Sequence, residues 1–489
     1  MYEYWLLLPI VCPVLGALAA ALIRTVKVRR LVLSAVLLLE ILLLLPVMAG
    51  DMGTLQILEL AGNLRLVLRA DAVSKFFSMF IAAIWFFVAL FAFEYMEHEH
   101  HRQRFFCFFL LTLATLIGVC FAANLVTLYL FYELMTLCTV PLVLHVGSKD
   151  AFDAAWKYLA FSVTGASFAL LGLFVLQRYC TTDLFTAGGV LDTAMAGDDR
   201  QLLLAVFLLM IIGFGCKAGM FPLHAWLPIA HPVAPGPAHA VMSGLVTKMG
   251  VVAIIRVVFF LYGWEFVIHT WAQTTVLILS LITVVIGSTL ALRQDGLKKR
   301  LAFSSVSQVS YVIFGLMLLN PVALQGALYQ TLFHALAKNV LFMATAAIIY
   351  KTYLTQVSQL RGVGTVYPIT LWCFSLAALS LIGIPPTSGF VAKWVLVQGA
   401  LESSEVGLLR YGGLAVLMLS ALLTATYLLP IVTNAFFPGR EFDNSVIHRQ
   451  KKTPLMWVAL CTLTAASLIL GMFPQLITPA VDAIVNALF

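Results

Sequence analysis

The sequence predicts an all-α integral membrane protein with about fourteen transmembrane helices. Of its 489 residues, 62% are hydrophobic and only 10% are charged, and the mean hydropathy is +1.01. A soluble protein of this composition would not have enough polar residues to cover its surface. Long apolar runs recur along the chain, and a helix that crosses a bilayer needs about 20 such residues. The protein is therefore predicted to be embedded in a lipid bilayer.

The predicted helices are the apolar runs that lie between charged residues or proline and glycine breaks. The first run follows an acidic rather than a basic segment and has full spanning length, so we interpret it as a retained helix and not as a signal peptide. We expect one membrane domain over residues 1–489, with no soluble domain and no strands. The approximate ranges of helices 1 to 14 are 4–23, 31–49, 73–93, 105–121, 124–145, 155–177, 201–221, 238–262, 271–291, 301–319, 323–350, 367–400, 411–436 and 454–472.

Basic residues are concentrated in the loops that follow odd-numbered helices. These are Arg24, Lys27, Arg29, Arg30, Arg102, Arg104, Lys149, Lys157, Arg293, Lys298, Lys299, Arg300, Lys351, Arg361, Arg440, Arg449, Lys451 and Lys452. The other loops hold Arg65, Arg69, Arg178, Arg200 and Arg410, together with the acidic residues Asp192, Asp198, Asp199, Glu402 and Glu405. The positive-inside rule then predicts odd loops in the cytoplasm and both termini on the outer side of the cell inner (plasma) membrane.

The sequence gives little support for metal, redox or nucleophile chemistry. Its eight cysteines form no Cys-x-x-Cys pair and lie mostly in apolar runs. No His-Glu-x-x-His or Gly-x-Ser-x-Gly motif and no carboxylate cluster is present. The net charge of +7 comes from the loop residues that set topology, so it does not indicate nucleic acid as a partner. We expect no cofactor, no metal and no redox centre in this chain.

Ionisable residues at membrane depth are the candidate functional groups. A charge at the bilayer centre costs about 2.5–3.5 kcal/mol on insertion scales, so such residues indicate pairing or function. His334 and Lys338 are four residues apart and share one helix face; since both are cationic when protonated, a proton relay is favoured over a static pair. The full set is Glu40, Glu133, Lys217, Lys248, Arg256, His334, Lys338 and Lys393, with His224, His231 and His239 around the junction of helices 7 and 8.

Two of the predicted helices are broken. The stretch GFGCKAGMFPLHAWLPIAHPVAPGP over residues 213–237 places glycines and Pro222 beside Lys217. Carbonyls freed by a break must be satisfied by protein or water, and water would open a proton path to the lysine. Helix 12 is interrupted at Pro385 and Pro386. The short motifs IGFGCKAG (212–219) and IGIPPTSG (382–389) suggest an internal duplication or a chance match.

Three of these groups keep an alternative interpretation. Glu133 has no cation one helical turn away, so it is either a carboxyl whose protonation responds to a lysine on another helix or half of a static ion pair. Lys217 either joins a proton path or extends its amine to the cytoplasmic surface. His239 lies nine residues before Lys248 and is either its neighbour in a relay or a merely hydrogen-bonded histidine. Lys248 is too deep in helix 8 to reach the surface.

Together these residues resemble a known superfamily: the antiporter-like, proton-translocating membrane subunits of respiratory complex I, Mrp-type cation/proton antiporters and group 4 membrane-bound nickel–iron hydrogenases. The resemblance covers roughly helices 3 to 13. It is closest in motif to the hydrogenase and formate-hydrogenlyase branch. The motifs are FYELMTL (131–137), KAGMFPLHAWLPIAHPVAPGPAHAVMSGLVTKMGV (217–251), LKKRLAFSSVSQVSY (297–311), FHALAKNVLF (333–342) and GIPPTSGFVAKW (383–394).

The resemblance implies a fold and a set of proton-transfer residues. It implies two inverted five-helix repeats, helices 4–8 (105–262) and 9–13 (271–436), with helices 7 and 12 broken. The implied relay residues are Glu133, Lys217, Lys248, His334, Lys338 and Lys393, to which we add His239, with His224, His231, Gln308, Pro222, Pro385 and Pro386 in supporting positions. Gln308 departs from the pattern, because some members have histidine there; glutamine can still hold a water.

The implied function is a proton-translocating subunit of a multisubunit, redox-driven ion pump. Its expected partners are other membrane subunits, including further antiporter-like ones, and a peripheral redox arm. Protons would pass from Lys217 or Lys248 through His334 and Lys338 to Lys393, with Glu133 tuning Lys217. One alternative is a subunit of an Mrp-type Na⁺/H⁺ antiporter or another transporter without a redox partner. A second is a non-transporting membrane scaffold of an oxidoreductase complex.

Overall fold

The computed structural model describes residues 2–61, 64–404, 407–439 and 453–489. Five residues used to predict orientation, Glu405, Arg440, Arg449, Lys451 and Lys452, lie outside this part of the chain. Apart from short turns of six residues or fewer, the described helices are α1 (Tyr2–Leu22), α2 (Val26–Ala49), α3 (Ala72–Tyr95), α4 (Arg102–Phe121), α5 (Leu125–Val143), α6 (Lys149–Leu176), α7a (Arg200–Ala218), α7b (Leu227–Val233), α8 (Gly236–Tyr262), α9 (Trp271–Arg293), α10 (Leu297–Met317), α11 (Pro321–Thr352), α12a (Pro368–Ile382), α12b (Ser388–Glu402), α13 (Gly407–Phe436), α14 (Pro454–Met472) and α15 (Thr478–Leu488).

The predicted helical membrane fold is confirmed. Each of the fourteen predicted ranges overlaps a helix, and within the described ranges twelve helices are long and apolar enough to cross a membrane. The serine- and lysine-bearing α10 and the broken α12 are not among the twelve. The number of spanning helices, fourteen, therefore stays a prediction, as do the two inverted repeats over 105–262 and 271–436.

The expectation of no strands is wrong. The loop after α2 contains an antiparallel hairpin of β1 (Thr54–Ala61) and β2 (Leu64–Arg69). The sequence LRLVLR alternates apolar and charged residues over part of β2, which is the period-two pattern of a half-buried strand. The backbone amide of Ala123 donates to the Val67 carbonyl at 3.0 Å, which joins the hairpin to the start of α5. Arg65 in β2 pairs with Asp183 in the loop after α6.

Loops of the same parity lie on the same face of the molecule. The hairpin contacts the 178–199 loop, where Arg69 donates to the Phe185 carbonyl, and the C-terminal Phe489 packs on Phe259 at the end of α8. On the opposite face the loop after α9 bonds to the loop after α11, through the Leu297 amide and the Thr355 carbonyl at 2.9 Å. This grouping agrees with the predicted alternation, whereas the side that faces the cytoplasm stays a prediction.

Helices α8 and α11 form the centre of the structure. Their apolar spans are 100% and 94% buried, whereas those of α2 and α13 are 28% and 33% buried. Membrane helices that carry ionisable residues turn them toward the interior of the bundle, because lipid cannot solvate them. The peripheral helices α2 and α13 expose Leu38, Leu42 and Leu422, as expected for side chains that contact lipid. The titratable residues of α8 and α11 are therefore enclosed by protein and not by lipid.

Both predicted helix breaks are present, and they share one construction. Each first segment ends at a glycine in the left-handed region, Gly219 with φ +78° and Gly383 with φ +93°, and a proline follows three residues later at Pro222 or Pro386. Glycine adopts this conformation without the penalty that a Cβ brings. The motif alignment from the sequence paired Gly213 with Gly383. This register is wrong by six residues, because Gly213 lies inside α7a and Gly219 holds the equivalent position.

Candidate functional site

Lys217 lies at the end of α7a and is fully buried, with 0% exposure. Its ammonium donates to the Tyr158 hydroxyl at 2.6 Å and to Ser162 Oγ at 2.8 Å, both on α6. The Tyr158 hydroxyl lies 2.6 Å from Thr139 Oγ1, so the network continues to α5. The alternative in which Lys217 reaches the cytoplasmic surface is therefore wrong: its amine is sealed inside the protein.

The expected direct pairing of Glu133 with Lys217 is absent. Among the described residues the ion pairs are Arg30–Glu97, Arg65–Asp183 and Arg256–Asp71, and none includes Glu133. The hydroxyls of Tyr158 and Ser162 accept two of the three N–H donors of Lys217 in its place. Glu133 is partly exposed on α5, and its Oε1 is buried without a hydrogen-bond partner. The static-pair alternative therefore fails in this arrangement.

Lys248 and His334 form the central contact between α8 and α11. The ammonium of Lys248 lies 2.7 Å from His334 Nδ1, and it also donates to the Ser243 carbonyl at 3.1 Å and to Thr247 Oγ1 at 3.2 Å. When Lys248 donates to Nδ1, a neutral imidazole carries its proton on Nε2, the atom that has no partner. A π-helical turn over Met242–Val246 precedes Lys248, and such turns are frequent at functional sites.

Lys338 shares a helix face with His334, as expected, but the two side chains have different partners. The Lys338 ammonium donates to the Leu301 carbonyl at 2.9 Å and to Ser304 Oγ on α10. Its Nζ also lies 5.5 Å from the centre of the Phe342 ring. The predicted pair is thus divided, since His334 faces α8 and Lys338 faces α10.

The expected contact between His239 and Lys248 is replaced by another one. His239 lies 4.7 Å, ring to ring, from His231 and 3.9 Å from Phe342. His239 precedes Lys248 by nine residues, which is more than two turns of α8. The two side chains are therefore too far apart along the helix axis for direct contact. His224 lies apart from this pair in the break between α7a and α7b, with its ring 5.8 Å from Phe221.

A small cavity of about 10 Å³ separates His334 from the break in helix 12. It is lined by Gln308, Gln330, Phe333, His334, Ala337, Ser380, Leu381 and Gly389. Gln330 donates to Gln308 Oε1 at 3.0 Å, which leaves Gln308 Nε2 without a partner, as is His334 Nε2. A buried water needs roughly this volume and two to four polar neighbours. The cavity therefore has the size and the unpaired groups for one water.

Lys393 caps the first half of the broken helix. Its ammonium donates to the carbonyls of Leu381 at 2.7 Å and Ile382 at 2.8 Å, the last residues of α12a. Terminal carbonyls lack intrahelical donors and carry partial negative charge, so they hold a cation well. Leu381 also lines the small cavity, so one residue contacts both Lys393 and the cavity.

Arg256 and Glu40 lie outside this group of residues. Arg256 pairs with Asp71, the cap of α3, and donates to Ser74 Oγ at 3.0 Å. Burial would raise the pKa of the Asp71 carboxyl, but the charge of Arg256 and the hydrogen bonds hold that pKa below its usual range. Glu40 is fully buried near Cys12, and neither carboxylate oxygen has a hydrogen-bond partner. Arg256 is therefore a structural tie between α8 and α3.

Sequence reasoning missed four hydroxyl partners of the lysines, Tyr158, Ser162, Thr247 and Ser304. It also missed Gln330 and Ser380, which line the small cavity. The signal was visible in α10, where SSVSQVSY places polar residues on all faces of a helix that the structure buries. Polar residues around a membrane helix indicate polar neighbours within the protein.

Known proteins are similar to this chain in sequence. Residues 122–419 match the family model described as "NADH:quinone oxidoreductase/Mrp antiporter, TM". NADH-quinone oxidoreductase subunit N of Desulforudis audaxviator (strain MP104C) is 32% identical over 398 residues, which cover 79% of this chain and 78% of that one. Hydrogenase-4 component B of Escherichia coli (strain K12) is 29% identical over 430 residues, 82% of this chain and 62% of that protein.

A solved structure agrees with the fold. A chain of the Mrp complex from Dietzia sp. DQ12-45-1b superposes with a TM-score of 0.84 at 22% identity, covering 100% of this chain and 97% of that one. The closer resemblance to the hydrogenase and formate-hydrogenlyase branch stays a prediction, since relatives from several branches of the superfamily match this chain. On the family match over most of its length, this chain belongs to the NADH:quinone oxidoreductase/Mrp antiporter transmembrane family and is an antiporter-like membrane subunit.

Proposed function

We propose that this chain carries protons through its buried polar centre as a subunit of a redox-driven pump. The observation that carries the proposal is the contact of Lys248 with His334, with the small cavity beside it and Lys393 beyond. A proton on His334 Nε2 is transferred through one water toward the Gln308 and Ser380 side and then to Lys393. Lys217 supplies the centre through water at the break in helix 7. Lys338 exchanges protons on the α10 side.

The transported ion is H⁺ in this proposal. The groups along the path are amines, an imidazole, hydroxyls and amides, and hard cations such as Na⁺ prefer several carboxylate or carbonyl oxygens. Lysine ammonium groups also repel Na⁺, whereas they accept and release protons. The chemistry of the path therefore supports H⁺ over Na⁺ as the ion that this chain carries. The scaffold alternative predicts static lysines and is separated by the experiment below.

The partly exposed Glu133 supports a neighbouring membrane subunit. A carboxyl on a membrane face is costly against lipid, so another protein chain is the better cover for it. We propose that this chain sits in the plasma membrane with both termini outside, beside further antiporter-like subunits and a peripheral redox arm. The redox cofactors belong to that arm in this proposal, and this chain holds none. Movement of charge in the neighbour would alter the field on Glu133 and thus on Lys217.

The test measures proton translocation by the tagged, native complex in proteoliposomes. Lys248→Ala and Glu133→Gln are expected to abolish coupled pumping, because each removes a group that holds a proton at a fixed place. The complex should remain assembled, as judged by its subunit composition after purification. Lys157→Met is the matched control, since Lys157 is exposed at the start of α6.

Retention of the unaltered pumping rate in Lys248→Ala would contradict the proposal and favour the scaffold. Lys393→Met separates these two further, because a scaffold tolerates it without loss of ion movement. The polypeptides that copurify identify the complex: redox subunits support the pump, and antiporter subunits alone support the Mrp alternative.

A further inference from the structure

Phe342 contacts two groups of titratable residues near the centre of the protein. It follows Lys338 by four residues on α11, so both side chains share a face. The ring is 1% exposed, and its centre lies 3.9 Å from the His239 ring, 5.9 Å from the His231 ring and 5.5 Å from Lys338 Nζ. One apolar side chain therefore contacts three groups that can hold a proton.

Three ring nitrogens of His231 and His239, the two histidines that contact the Phe342 ring, lack hydrogen-bond partners. Both ring nitrogens of His231 and Nε2 of His239 are buried and unpaired. Buried polar atoms almost always have a partner, so three unpaired nitrogens in one place indicate a position that water reaches at least part of the time. Lys298 lies toward the odd-numbered loops and donates to the carbonyls of Pro232 and Ala234, which links this place to the predicted cytoplasmic face.

Lys338, the other group that contacts the Phe342 ring, is hydrogen-bonded. Lys338 donates to Ser304 and to the Leu301 carbonyl. In the described part of the chain no hydrogen bond joins the histidine pair to Lys338, and both contact the Phe342 ring, His239 at 3.9 Å and Lys338 Nζ at 5.5 Å. The histidine pair and Lys338 are thus two polar compartments that share one apolar neighbour.

We propose that Phe342 is the gate through which protons enter from the predicted cytoplasmic side. The inference rests on the proposed function and adds a residue to it. In this proposal the ring in the observed position blocks a water chain between the two compartments. When the ring turns about its Cα–Cβ bond, water connects His239 to Lys338, and an imidazolium N–H bond breaks as an N–H bond forms on the neutral amine.

The charge of Lys338 controls this gate. A cation near an aromatic ring is attracted to it, so a protonated Lys338 favours the closed position of Phe342. A neutral Lys338 loses that attraction, and the ring turns more readily. The gate therefore opens when Lys338 needs a proton and closes once it has received one, which prevents the proton from returning.

The test measures passive proton leak, which needs no redox driver. The tagged complex is reconstituted in liposomes, a potassium diffusion potential is imposed with valinomycin, and internal pH is followed with a trapped dye. Phe342→Ala should raise the leak about tenfold, as for a gate that moves from rarely open to mostly open. Phe342→Leu should give a smaller rise. Phe109→Ala is the matched control, because Phe109 is fully buried in α4 against Trp85 and Phe105.

Two further variants make the outcome specific. Phe342→Ala combined with His239→Leu should lose the leak, because the histidine pair is the entrance. No rise in leak in either Phe342→Ala or Phe342→Leu, or a leak that persists without His239, would overturn the gate. Lys248→Ala with normal driven pumping would instead overturn the proposed function, whereas unchanged leak in the Phe342 variants overturns only the gate, so the two failures are distinguishable.

Discussion

At the scale of residues, the buried lysines are stabilised by small polar partners and not by carboxylates. Lys217 has two hydroxyl acceptors, Lys248 has a carbonyl, a hydroxyl and an imidazole, and Lys393 has two carbonyls. A carboxylate would hold the proton on the amine by its charge. Neutral acceptors compensate for lost hydration while leaving the amine free to release its proton.

Variants of Gln308 test whether a water in the small cavity carries protons. Gln308→Leu removes the amide that lines the small cavity and should slow proton transfer about tenfold, a barrier increase of about 1.4 kcal/mol. Gln308→His should keep most of the rate, since imidazole also binds water and carries protons. Coupled pumping in proteoliposomes is the measurement.

Gln273→Leu is the control for Gln308→Leu. Gln273 is also a fully buried glutamine, but it lies on α9 and donates to the Met317 carbonyl at 2.9 Å, away from the cavity. If both leucine variants pump equally well, Gln308 has no part in the path.

At the scale of elements, the broken helices place their lysines on opposite sides of the break. Lys217 precedes Gly219 on α7a, whereas Lys393 follows Gly383 on α12b and caps α12a. The first lysine therefore belongs to the network of α6, and the second is coupled to the carbonyls that the break itself exposes. The two breaks are built alike, but they hold the ammonium groups of Lys217 and Lys393 in different surroundings.

Gly383→Ala tests the coupling between this break and Lys393. The left-handed conformation costs a residue with a Cβ about 1–2 kcal/mol. A Cβ at this position would also lie 2.9 Å from Lys393 Cδ and displace the lysine. We expect both a lower unfolding temperature and slower proton transfer.

Gly147→Ala separates the two effects. Gly147 also has a positive φ, +71°, but a Cβ there meets no atom within 4 Å. It should lose a similar amount of stability without slowing transport. Equal transport in the two variants would show that Lys393 is not positioned by the break.

At the scale of the whole molecule, burial divides the helices into a polar centre and a lipid-facing periphery. The central helices α8 and α11 carry Lys248, His334 and Lys338, and the loops of even number gather with both termini on one face. A Cβ added to Gly53, in the loop before the hairpin, would lie 3.4 Å from Cγ of Glu3, which places the N-terminus on that face.

Orientation is tested with single cysteines in exposed loops. Thr182→Cys lies on the face of the termini and should react with a membrane-impermeant maleimide added to intact cells. Thr355→Cys lies on the opposite face and should react only after the cells are opened. Labelling above that of the unaltered chain is measured for each, because eight native cysteines are present. The reverse pattern would invert the predicted topology.

The sequence by itself determined the membrane fold, the approximate helix ranges and the positions of both breaks. These features depend on local hydropathy and on glycine and proline, which act within a few residues. It also identified the lysines and histidines, because charged groups are rare and costly in apolar runs.

Only the tertiary structure decided which of these groups meet. Lys248 contacts His334 across two helices, Lys217 contacts Tyr158 and not Glu133, and His239 contacts His231. Such contacts depend on how helices far apart in the chain pack and rotate against each other. Helical periodicity fixes the face on which a residue lies, but the partner on the facing helix is set by side-chain packing over the whole interior.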